Sequence, residues 1–288
     1  MMIGKIKQFN FKSLLILNTF ALIVTSYFFK NFICLGVYTL FFFISLFTTK
    51  NGLKTIKKLN LLQNIRTEGP SNHFKKSNTP TMGGIFMIIP FLIFLLIITI
   101  NLGSLKLLLL LFTIFGFFFT GFLDDYLSIK NRKNTGLKSK EKFILQSIIS
   151  IIFIFIAYEN DLINPLIKIS ESWEINTSIF IFPISFLVLV GISNSVNLTD
   201  GLDGLAAGCS GIVFYGLGTE ILMKEQKELF VFSLLCYSMS GICLGFLKHN
   251  NYPAKIFMGD TGSLSIGAIL GSIALLTNSV FTLSLIHI

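Results

Sequence analysis

Asp124, Asp125, Asp200, Asp203 and Asp260 stand where an otherwise apolar chain can least tolerate idle charge, each beside glycines, asparagines or lysines. Asp124 and Asp125 close one apolar run. Asp200 and Asp203 follow another, in Asn-Ser-Val-Asn-Leu-Thr-Asp-Gly-Leu-Asp-Gly (194–204), and Asp260 precedes a third, in Phe-Met-Gly-Asp-Thr-Gly-Ser (257–263). Carboxylates at membrane depth are costly unless paired or liganded, so they mark a site by default. Acids gathered with lysines at one bilayer face suit a metal-assisted reaction on a phosphorylated, partly lipidic substrate.

Each motif adds a piece. Neighbours on a helix point about 100° apart, so Asp124 and Asp125 should face different partners, one a metal or a proton and the other lysines. Asn194, Asn197, Asp200 and Asp203 recur every three residues, which stacks them on one face of a helical segment opened by Gly201, Gly204 and Gly208. Gly259 and Gly262 predict a tight turn that presents Asp260 to a divalent cation. Mg²⁺ fits best, because it accepts one or two carboxylates together with substrate phosphates. Phe257 beside it suits stacking on a nucleobase. Asn-Thr-Pro-Thr-Met-Gly-Gly (78–84) follows His73, Lys75 and Lys76. Threonine hydroxyls and amides at a helix start suit an anion, although the same stretch also reads as a plain helix entry. Asp-Thr-Gly also occurs in aspartic proteases, but the soluble β-barrel context is missing.

The elements that must position these residues are transmembrane helices. Of 288 residues, 53% are hydrophobic and 13% charged, with a mean hydropathy of +0.77, which excludes an ordinary soluble domain. The apolar residues come in long runs at 13–29, 32–48, 81–101, 106–123, 143–158, 179–196, 205–223, 229–247 and 264–281. The expected fold is an all-α polytopic transmembrane helical bundle with short cytoplasmic catalytic loops, one membrane domain over residues 1–288. The glycine-rich 205–223 is the weakest span, and 13–29 either crosses or lies in the interface.

The formal charge of +9 is unevenly placed. Lys50, Lys54, Lys57, Lys58, Arg66, Lys75 and Lys76 lie in 49–80, and Lys130, Arg132, Lys133, Lys138, Lys140 and Lys142 in 124–142. The 159–178 loop opposes a lone Lys168 to Glu159, Asp161, Glu171 and Glu174. The positive-inside rule puts 49–80, 124–142, 197–204 and 248–263 in the cytoplasm, and all five acids with them. The lysines therefore read as topology signals beside anionic membrane lipid, and nucleic acid is not expected as a partner. Cys34, Cys209, Cys236 and Cys243 form no Cys-x-x-Cys pair and read as small packing residues. A transporter using the same acids as an ion path would place them at mid-bilayer, not at one face.

From about Lys50 to Thr277 the four motifs, in this order, resemble the phospho-N-acetylmuramoyl-pentapeptide transferases, the translocase I family of peptidoglycan synthesis. Thr-Pro-Thr-Met-Gly-Gly and Asn-Leu-Thr-Asp-Gly-Leu-Asp-Gly resemble this branch of the polyprenyl-phosphate N-acetylhexosamine-1-phosphate transferases. The resemblance implies transfer of phospho-MurNAc-pentapeptide from UDP-MurNAc-pentapeptide to undecaprenyl phosphate, giving lipid I and UMP. It implies Mg²⁺ as cofactor, the bacterial cytoplasmic membrane as location, a cytoplasm-facing site and a homodimer. By motif match, Asp260 would hold the metal, Asp124 would position or deprotonate the lipid phosphate with Asp125 in support, and Lys140 would neutralise phosphate charge. Lys76, Thr81, Asn194, Asn197, Asp200, Asp203, Asn250 and Phe257 would line the substrate pocket. The chain departs from the family at Ser128, where lysine is usual, and at Asn78, where glycine is usual. The family also continues with a further span, a histidine-bearing loop and a last span, whereas this chain stops at Ile288 with His287 as its only late histidine. A shortened transferase is thus expected, with another polyprenyl-phosphate N-acetylhexosamine-1-phosphate transferase, or an inactive remnant, as the alternatives.

Overall fold

The computed structural model describes residues 11–29, 31–58, 79–131, 136–170 and 173–280. These residues form a polytopic helical bundle. The helices are α1 (Phe11–Phe28), α2 (Phe32–Lys58), α3 (Gly84–Leu102), α4 (Leu105–Lys130) and α5 (Ser139–Glu159), followed by α6 (Ile181–Phe186), α7 (Ile192–Thr199), α8 (Leu205–Met223), α9 (Phe230–Asn250) and α10 (Gly259–Leu276). A π-helical segment, Leu187–Gly191, joins α6 to α7 into one span. Among the described residues nine helices are long and apolar enough to cross a membrane, and each answers to one of the nine expected runs, including 205–223.

Burial sorts the helices into layers. Every residue of α10 from Thr261 to Leu276 is buried. It is apolar all round, and the glycines, serines and alanines among its leucines and isoleucines let neighbours close on it from several sides. The helices α3, α4, α7 and α8 surround it, while α2 and α8 clasp α9. Close approach explains the small-xxx-small pattern in α9: a Cβ on Gly241 or Gly245 would strike the α2 backbone at Tyr38 or Phe42. Outer helices are one-sided. In α3, Met87, Ile88, Phe91 and Leu95 face inward, and Ile89, Ile93, Ile97 and Ile100 face outward to where lipid would lie.

Three local expectations change. The helices run past their apolar stretches into the charged segments, α2 to Lys58 and α4 to Lys130. Asp124 and Asp125 therefore lie within a helix and not at its end. At the other terminus, Asp260 sits in the first turn of α10, where the positive end of the helix dipole favours an acid. The polar stripe of 194–204 is also broken: α7 stops at Thr199 and residues 200–204 turn. The break takes Asp203 off the helical face shared by Asn194 and Asn197. A small antiparallel hairpin, β1 (Leu166–Ser170) with β2 (Trp173–Asn176), decorates the acidic loop and went unforeseen.

Candidate active site

The site is built where the C-terminal part of α4, the start of α5 and the start of α10 meet. Helix α4 approaches α10 at Gly121, whose missing side chain is essential: a Cβ there would overlap the carbonyl of Asp260. One turn on, the two adjacent aspartates diverge as helix geometry requires. Asp125 is buried and turns into α10, where its Oδ1 accepts the Asp260 N–H at 3.1 Å. Its Oδ2 accepts the Thr261 N–H at 2.9 Å and the Thr261 hydroxyl at 2.6 Å. The first N–H groups of any helix lack partners, and here a carboxylate from another helix supplies them. Asp125 thus acts as a cap that one helix supplies to another of the same chain.

Asp124 turns the other way. Its Oδ1 accepts the Leu137 N–H at 2.9 Å and lies 3.2 Å from Lys142 Nζ. The same ammonium pairs with Asp260 Oδ2, so one lysine spans two acids from different motifs. Helix α5 begins at Ser139 and is steadied by Glu141, which reaches back to accept the Lys138 N–H at 2.8 Å. That start places Lys142 inward and leaves Lys140 exposed. Lys140 was the lysine singled out by motif, whereas Lys142 is the one the structure brings to the acids.

The remaining motifs are strapped together by backbone. Phe257 N–H donates to the Pro80 carbonyl at 2.8 Å, Gly83 N–H to the Phe257 carbonyl at 2.9 Å, and Gly84 N–H to the Met258 carbonyl at 2.8 Å. This ladder joins the Thr-Pro-Thr-Met-Gly-Gly segment to the loop before α10. Thr81 is buried under it and Phe257 is half-buried. Asn250, buried, accepts the Gly204 N–H at 3.1 Å and donates to the Ile256 carbonyl at 2.9 Å. Asp203 accepts the Ala254 N–H at 3.1 Å. Both residues therefore hold the 200–204 turn against the 251–258 loop.

Asp200 sits at the end of α7 and accepts the Gly259 N–H. Desolvation at its carboxylate, then the charges of Asp260 and Asp125, push its pKa well above the ordinary aspartate range, against the Gly259 bond. Asn197 lies half-buried on α7. Asn194 points away from these groups and donates to Gln146 Oε1 and the Val190 carbonyl, both at 2.7 Å. Lys76 lies outside the described residues, as do His73, Lys75 and Asn78.

Asp124, Asp125 and Asp260 each offer an oxygen within 4.8 Å of the others. An all-oxygen, carboxylate-only set suits a hard cation such as Mg²⁺. Asp125 spends both oxygens on α10, whereas Asp124 Oδ2 and Asp260 Oδ1 carry no hydrogen bond among the described residues. The donor set fits a divalent cation held by Asp124 and Asp260, with Asp125 fixing the geometry between them.

Sequence reasoning did not single out Lys142, Thr261 or Gln146. Lys142 was visible only as one of three lysines at alternate positions, and choosing among them needs the phase of α5. Comparison with known proteins agrees with the motif reading. The glycosyl transferase family 4 model matches residues 107–278, and the phospho-N-acetylmuramoyl-pentapeptide-transferase signature 1 matches residues 76–88. A phospho-N-acetylmuramoyl-pentapeptide-transferase of Prochlorococcus marinus (strain MIT 9312) is 85% identical over 284 residues, covering 99% of this chain and 79% of that protein. One from Thermodesulfovibrio yellowstonii is 38% identical over 268 residues, covering 88% of this chain and 74% of that protein.

Proposed function

Since the chain belongs to the phospho-N-acetylmuramoyl-pentapeptide-transferase family, within glycosyl transferase family 4, we infer that it makes lipid I. It transfers phospho-MurNAc-pentapeptide from UDP-MurNAc-pentapeptide to undecaprenyl phosphate and releases UMP. The observation that carries this reading is Lys142 held between Asp124 and Asp260, on three helices that begin or end at one point. An oxygen of the lipid phosphate attacks the sugar-linked phosphorus of the donor. The bond to the bridging oxygen breaks, and that oxygen leaves with UMP.

Asp124 orients the incoming phosphate and accepts a proton from it when that phosphate arrives protonated. Lys142 neutralises charge that grows on the transferring group, the largest contribution a fixed side chain makes in such reactions. Asp125 keeps α4 and α10 in register, so that Asp124 and Asp260 stay within reach of one ammonium. Mg²⁺, when bound at Asp124 and Asp260, supplies Lewis-acid neutralisation of the diphosphate. Phe257, Thr81, Asn197 and Asp200 surround the nucleotide side, and Asp203 and Asn250 shape the loop behind it. The basic segments at 49–58 and 136–142 support a site at the cytoplasmic face of the bacterial inner membrane.

The test is direct. Protein in detergent or liposomes, given UDP-MurNAc-pentapeptide, undecaprenyl phosphate and Mg²⁺, should release UMP and form lipid I, and EDTA should stop both. No UMP under conditions where the 85% identical relative turns over would refute the assignment.

A further inference from the structure

Away from the acids, four fully buried polar groups with no hydrogen-bond partner among the described residues lie on the helices around the π-helical segment. They are Gln146 Nε2, Ser150 Oγ, Ser185 Oγ and Ser272 Oγ, on residues 0% exposed. Gln146 and Ser150 follow Lys142 at four-residue steps on α5, so they share its face and descend from the acid site into the bundle. Ser185 lies on α6 just before the π segment. Ser272 lies on α10 beside Gly271, which packs on Val188 and Leu189 of that segment.

Three contacts fix the levels of these groups. Phe143 meets Phe186 with ring centroids 6.3 Å apart, Tyr158 meets Phe182 at 4.6 Å, and Asn194 donates to Gln146 Oε1 at 2.7 Å. Helix α5 therefore runs antiparallel to the 181–199 span, and Ser150 and Ser185 both lie within the stretch that the two ring contacts bracket. Their orientation is informative. A helical serine can always turn its hydroxyl back to the carbonyl four residues earlier, as Ser147 does to Phe143 at 2.7 Å and Ser265 does to Thr261 at 2.6 Å. Ser150, Ser185 and Ser272 forgo that bond. Donors left unpaired in so apolar a setting are strongly unfavourable.

We propose that this junction is an internal water site. Water held by Gln146 Nε2, Ser150 Oγ and Ser185 Oγ, with Ser272 as a fourth partner, satisfies groups that the helices do not. Two to four polar partners is the usual complement of a buried water. The site lies beside a π segment, where the helical ladder is already one residue out of step. It steadies the Gln146–Asn194 bridge, and through that bridge it sets α5, which carries Lys142, against α7, which Asp200 follows.

A double-mutant cycle on thermal unfolding in nanodiscs separates a wet junction from a dry one. If water links the hydroxyls, Ser150→Ala and Ser185→Ala should each lower the midpoint by about 2–4 °C, and the double variant should fall no further than the worse single. Neutral or raised midpoints for the single variants, as expected on deleting a dry orphan hydroxyl, would overturn the proposal; so would strictly additive losses. An experimental map that resolves ordered water gives an independent reading, should the variants not express. Density bonded to Gln146 and Ser150 is expected there, and a dry junction would refute the site.

Discussion

Asp125→Asn and Asp124→Asn make the same chemical change at neighbouring positions and should part company in a stability assay. At Asp125 the amide keeps one oxygen for Thr261 and turns an NH₂ toward the Asp260 N–H, which now donates at 3.1 Å. An orphaned buried donor costs about 1–3 kcal/mol, and loss of the negative charge from the α10 N-terminus adds up to about 2 kcal/mol. Relief of repulsion from Asp260 and of the burial cost of charge offsets the charge term, which leaves the orphaned donor and a net loss of about 1–3 kcal/mol. For a chain of 288 residues that corresponds to a midpoint lowered by roughly 2–5 °C. At Asp124 the amide oxygen still accepts from Leu137, and Lys142 keeps Asp260 as its counter-ion. Its midpoint should move by less than about 2 °C. Both variants should lose at least about 100-fold in UMP release, Asp124→Asn through its chemistry and Asp125→Asn through displaced geometry. Equal midpoints for the two, or an Asp125→Asn variant as stable as the parent, would refute the capping role.

Lys142→Met should lower kcat by about 10²–10³-fold, while the exposed Lys140→Met should stay within about threefold of the parent in the same UMP assay. Gly121→Ala drives a Cβ into the Asp260 carbonyl, so turnover should fall about 100-fold together with the unfolding midpoint. A normal rate there would mean that α4 and α10 can separate freely. Asp200 has a raised pKa in the folded state, so its ionisation destabilises the fold as pH rises from the ordinary aspartate value through the folded one. In EDTA, Asp200→Asn should therefore unfold at a higher temperature than the parent at neutral pH, the gap closing as the medium is acidified toward pH ~4. A gap that is absent, or that widens on acidification, would contradict the linkage.

Much of the bundle could be read from the chain, because long apolar runs have few other uses and each became a helix. Asp124 and Asp260 were legible for a related reason: charge beside lipid demands an explanation. What could not be read was helix phase and extent. Three lysines at 138, 140 and 142 look alike until α5 is known to start at Ser139. Helix geometry separates Asp125 from Asp124, but that Asp125 faces the start of α10 emerges only once α4 is seen to continue to Lys130 and to lean on α10. The three-residue spacing from Asn194 to Asp203 suggested one helical face opened at its glycines, but the turn at 200–204 divides it outright and gives Asp203 and Asn250 to loop architecture. These choices are made by tertiary contacts, to which local spacing is blind.

The main-chain ladder between Pro80–Gly84 and Phe257–Met258 makes the pocket wall insensitive to side-chain identity in an uneven way. Exchanging the side chain of Phe257 or Met258 leaves the seam sewn, since amides and carbonyls hold it, but a Cβ on Gly83 or Gly84 would strike the backbone of Phe257 or Gly262. A proline at Phe257 or Gly83 would remove a donor and unpick it. Damaging variation in this wall should therefore be dominated by changes that remove an N–H and by any side chain placed on Gly83 or Gly84, with altered polarity a lesser cause.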